Sequence, residues 1–136
     1  MRDFADIADE FELLDDRDER YRLLIELGRE LEPMPDALKT DATRVRGCSA
    51  NVWVYPTQND DGQLHFLADS DAHITKGIVA LIVALVQDRP AAEIRGLDIK
   101  RELARFQLET QLSSNRTQGI PNMIALVQDT AARLSA

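Results

Sequence analysis

The chain has 136 residues, 44% of them hydrophobic and 29% charged, which suits one soluble domain with its own core. A formal net charge of −8, from 24 acidic against 16 basic side chains, argues against a nucleic-acid partner and against an anionic membrane surface, both of which call for clustered Lys and Arg. There is one cysteine, so no internal disulfide; no apolar leader follows a basic start, and the longest apolar run, residues 78–86, is too short to cross a bilayer, so the expected location is the cytoplasm.

Phe4, Ile7, Phe11 and Leu14 recur at steps of three and four and predict an amphipathic helix. Its other side carries part of an acidic run from Asp3 to Glu19, read as a solvated face or as a dock for a basic partner. Asp15 and Asp16 break this helix and cap a second, whose stripe is Tyr21, Leu24, Ile25 and Leu31. Pro33 and Pro35 end it, since proline lacks an N–H and restricts the residue before it.

The period then changes. Val52, Trp53, Val54 and Tyr55 read as a strand, with a further strand expected around Val45. Asp61-Gly62 supplies the positive φ of a hairpin, and Leu64 to Leu67 make the return strand. A central buried helix follows, with Ser70 or Asp71 as N-cap and Ile74, Ile78, Leu81, Ile82, Leu85 and Val86 at helical spacing. Short helices split at Gly96 come next. The last helix carries Ile120, Ile124, Val127, Ala131 and Leu134, with Pro121 in its first turn, where a missing N–H costs little. The fold class is α+β: a small antiparallel sheet of about three strands covered by helices, in a single domain over residues 1–136.

The chemistry narrows to Cys48. One thiol does not hold an iron–sulfur cluster, and one Cys with two His is thin for zinc, which takes about four ligands, so no metal or cofactor is expected. A Cys–His hydrolase stays arithmetically open with His65 or His73 as base, although nothing in the spacing brings either to Cys48. Gly47 lets the backbone turn beside the thiol, and Arg44 and Arg46 would favour the thiolate. These residues alone leave Cys48 open between an inert buried side chain and a nucleophile.

The stretch "GCSANVW", residues 47–53, resembles the "GCxSxVW" signature of the SufE family, sulfur acceptors that work with group II cysteine desulfurases in iron–sulfur cluster assembly. "IELGRELEPMP" (residues 25–35), "ADSDAHITKGIVALI" (68–82) and "LSSNRTQGI" (112–120) resemble further family segments, in family order and over nearly the whole chain. The resemblance implies a fold like that of the iron–sulfur scaffold proteins of another assembly system. It implies that Cys48 takes sulfur from a SufS-like or CsdA-like desulfurase as a persulfide, stimulates that enzyme, and passes the sulfur to a SufBCD-like scaffold complex. The protein would then be a sulfurtransferase-like carrier rather than a stand-alone enzyme. Asp71 and Arg116 match the family's charged pair near the cysteine loop: Arg116 would favour the thiolate or orient the loop, and Asp71 would act there or cap the central helix. Trp53 would pack under the loop as core. Family members commonly carry Gln then Ser after the cysteine, where Ser49 and Ala50 stand here, a departure that bears on loop geometry and partner choice. A non-catalytic adaptor for the desulfurase and a thiol redox sensor are the alternative readings.

Overall fold

The structure, a computed structural model, describes residues 2–135. Helix α1 (Phe4–Leu13) buries Phe4, Ile7, Ala8 and Phe11, the face that the spacing predicts. Asp16 caps α2 (Arg17–Arg29), its carboxylate accepting from the Asp18 N–H at 2.9 Å. The buried stripe of α2 is Leu23, Leu24 and Leu27, continued by Leu31. Tyr21 and Ile25 are only half-buried, against the expectation. They form the next row round the helix, displaced because successive residues turn by about 100°.

Strands β1 (Val52–Gln58) and β2 (Gln63–Ser70) pair antiparallel, from Val52 opposite Ser70 to Gln58 opposite Leu64. Val52, Val54, Leu64, Phe66 and Ala68 face the core. Trp53 alternates to the opposite face, so it is not the core residue expected: it is half-buried, with the Lys39 ammonium 5.6 Å from its ring centroid. The third strand is also not where the sequence suggests. Around Val45 there is one bridge, Arg44 to Trp53, and no ladder grows because the chain turns away at Gly47. The third strand is instead β3 (Arg89–Pro90), on the other edge of β2.

Helix α3 (His73–Val86) lies between α2 and β2 and is buried on almost every side. Four short helices follow: α4 (Ala91–Arg95), α5 (Ile99–Leu103), α6 (Leu108–Gln111) and α7 (Ser114–Thr117). The last two are single turns within a stretch that carries no periodic signal. Helix α8 (Ile120–Leu134), with Pro121 in its first turn, buries Ile120, Met123, Val127 and Ala131 and packs on α3 and α4. The antiparallel three-stranded sheet under helices is the α+β class expected.

Candidate functional site

The backbone leaves the sheet just after the Val45 N–H donates to the Val52 carbonyl at 2.8 Å, and returns to it at Val52. Residues 46–51 between them form a loop. Gly47 turns it with φ of +82°, a region that L side chains rarely adopt. A Cβ on Gly47 would also collide with Asn122 Nδ2.

Two side chains from elsewhere in the chain and one main-chain carbonyl hold this loop. On its leading side, Asn122 of α8 donates through Nδ2 to the Arg46 carbonyl at 2.9 Å. In the middle, the Ser49 hydroxyl donates to the Asn115 carbonyl at 2.5 Å. On its trailing side, the Asp71 carboxylate accepts from the Asn51 N–H at 3.0 Å and from Asn51 Nδ2 at 2.8 Å. The Asp71 N–H returns a bond to the Asn51 carbonyl at 3.2 Å. Asp71 is therefore not the cap of α3. The loop claims its carboxylate, and the Ser70 hydroxyl takes the Ala72 N–H at 3.3 Å, leaving α3 without a side-chain cap.

Held this way, Cys48 is half-buried with Sγ against Gly119, the residue that leads into α8. The Sγ–Gly119 carbonyl distance is 3.9 Å, a long S–H···O contact. A Cβ on Gly119 would collide with Sγ, so only glycine lets the thiol lie there. Burial pushes the Cys48 thiol above its ordinary value. Arg44 and Arg46 do not counter it. Both are exposed, where water and salt screen their charge.

Arg116, on α7, lines the crevice that holds Cys48, and its guanidinium lies 5.6 Å from the centre of the Tyr21 ring. Arg116 and Asp71 both line the open groove outside the loop, yet among the described residues no ion pair joins them. His65 is engaged elsewhere, by Asp88 at 2.7 Å and Glu32 at 3.1 Å. His73, at the start of α3, is exposed on the wall of that groove. Among the described residues no group of three or more His, Cys, Asp or Glu is arranged to hold a metal ion. Sequence reasoning missed Asn51, Asn115, Asn122 and Gly119. Gly119 and Asn115 fall inside the segment 112–120 already singled out; Asn122 gave no signal beyond a polar residue in a helix first turn.

The family model named SufE, described as an Fe-S metabolism associated domain, matches residues 5–131. The chain belongs to the SufE family. Its role accordingly lies in iron–sulfur metabolism. A protein described as an uncharacterized SufE-like protein from Rhizobium etli is 35% identical over 134 residues, covering 96% of this chain and 90% of the relative. One described in the same way from Rhizobium meliloti is 35% identical over 134 residues, covering 96% of both chains. The solution structure of a hypothetical protein from Thermus thermophilus superposes with a TM-score of 0.74 at 16% identity, over 96% of this chain and 94% of that one. That likeness speaks for the fold alone. Among the described residues of this SufE chain, no helix is long and apolar enough to cross a membrane.

Proposed function

We propose that residues 1–136 work as one SufE-like domain that accepts sulfur on Cys48 from a group II cysteine desulfurase, SufS-like or CsdA-like. The domain stimulates that enzyme and delivers the sulfur to an iron–sulfur scaffold complex of the SufBCD kind. In the transfer step the Cys48 thiolate attacks the outer sulfur of a persulfide on the partner's cysteine. A new S–S bond forms at Sγ while the partner's S–S bond breaks, and its electron pair leaves on the partner's thiolate. No external oxidant or reductant is needed.

The observation that carries the reading is the setting of the one thiol in a SufE chain: Cys48 sits on a six-residue loop held by Asp71, just before α3, and by Asn122 of α8, beside an open groove of about 750 Å³. Gly47 shapes the turn, Asp71 holds the loop, and Arg116 lines the crevice around the thiol, from where its charge would favour an anionic sulfur on transfer. Incubation with a group II desulfurase and free cysteine, followed by intact mass, tests the reading. A single-sulfur adduct on Cys48, and loss of stimulated sulfide release in Cys48→Ser, are expected. No adduct, with stimulation intact in Cys48→Ser, sinks the carrier and leaves the adaptor.

A further inference from the structure

Thr75 stands apart from the other polar side chains near Cys48. It is only 5% exposed, in the first turn of α3, and no hydrogen bond of its hydroxyl is found among the described residues. No side-chain N or O atom that is sealed from solvent lacks a partner in the described residues. The Thr75 hydroxyl therefore keeps a sliver of open space, and the spaces that Thr75 lines are the two beside Cys48. One is the tight crevice around the thiol, too narrow for a water molecule; the other is the open groove outside the loop. Ser49, Ala50, Thr75, Asn115 and Arg116 line both, so Thr75 lies at their common wall.

The same place gathers positive potential. Helices α3 and α8, of 14 and 15 residues, both begin here. Neither has a side-chain N-cap, and the N–H groups of His73, Ile74 and Thr75 have no acceptor among the described residues. Such helix starts favour negative charge. Arg116 adds a full charge at the rim. A persulfide is a stronger acid than its parent thiol, so adding sulfur to Cys48 converts a neutral group into an anion reaching one atom further from the loop. Met123, an unbranched side chain that readily changes shape, also lines the crevice.

Building on the sulfur-acceptor reading, we propose that the outer sulfur of the Cys48 persulfide rests at the shared wall of crevice and groove, held by a hydrogen bond from the Thr75 hydroxyl at the start of α3. Thr75 touches the transferred sulfur only after transfer. Its role is to keep the cargo from stray thiols between donor and acceptor.

The test compares Thr75→Val, which removes the donor with little change of shape, with Thr75→Ser, which keeps it. Each variant and the unaltered chain is loaded with a group II desulfurase and cysteine, freed of the enzyme, and its sulfur loss to dithiothreitol followed by intact mass across pH. The Val variant is expected to lose sulfur about tenfold faster, the weight of one hydrogen bond to a charged group, with the persulfide's ionisation shifted to higher pH. The Ser variant is expected to follow the unaltered chain. A Val persulfide with unchanged lifetime and pH profile overturns this inference alone. Failure of the unaltered chain to take any sulfur on Cys48 overturns the acceptor reading and this one together.

Discussion

Asn51 and Asp71 exchange three hydrogen bonds, two into the carboxylate and one back to the Asn51 carbonyl. They tie the trailing end of the cysteine loop to the residues just before α3. The carboxylate is the only group of Asp71 that supplies two of those bonds, so truncating it frees the loop without opening the core. Asp71→Ala is expected to raise the rate at which iodoacetamide alkylates Cys48 by about three- to tenfold, the loss of one to two modest hydrogen bonds. Unchanged alkylation would mean that Asp71 does not restrain the loop.

Gly119 is the floor under the thiol. A methyl group added there collides with Sγ and stands 3.1 Å from the Cys48 Cα and Cβ. Gly119→Ala should cost about 1–3 kcal/mol, as overpacking of a filled site does. In the Cys48→Ala background the same change should cost less, because the nearest atom is gone. Urea denaturation of the four chains closes the cycle; purely additive effects would show that the thiol is not packed on Gly119 in solution.

The helices and the hairpin were legible in the sequence because their signals are local: a period near four in residues 4–14, alternation in 52–55, and Asp61-Gly62 between two apolar runs. The misses at Asp71 and at the third strand came from long-range competitors. Asp71 has the right side chain to cap α3, but Asn51, twenty residues earlier, takes its carboxylate. The third strand, Arg89–Pro90, is two residues long and contains a proline, so only its neighbour β2 makes it a strand. Trp53 looks like core by residue type, while its alternation with Val52 and Val54 already placed it outside. Cys48 and Gly47 were visible as a motif, but the groups that seat the thiol, Gly119 and Asn122, lie more than seventy residues away, where no sequence window joins them.

His65 ties β2 to two separate segments through Asp88 and Glu32. The hydrogen bond to Asp88 raises its pKa most; burial opposes, and Glu32 adds to the rise. A raised imidazole pKa contributes stability that is complete below the unfolded value of about 6.5 and is lost as pH rises through the higher folded value. The ring is 37% exposed, so each contact is worth no more than about 1 kcal/mol after screening. His65→Gln should therefore lower Tm more at about pH 5.5 than at about pH 9, the two chains converging in base. A gap that widens with pH would refute the imidazolium clasp.

The resting thiol is set against its own chemistry. Burial alone raises the Cys48 pKa, so little thiolate is present near neutral pH while the loop is held. Alkylation of the isolated chain should rise with pH through a midpoint above the ordinary thiol value of about 8.5. Freeing the loop exposes Sγ to water and removes the cause of the shift. In Asp71→Ala the midpoint should therefore move down, so that the gain in rate over the unaltered chain is larger at about pH 7.5 than at about pH 10. Stopped-flow alkylation of both chains across that range reads the difference directly. A parallel pair of profiles, offset by the same factor at every pH, would show that the loop controls access to the thiol and leaves its ionisation untouched.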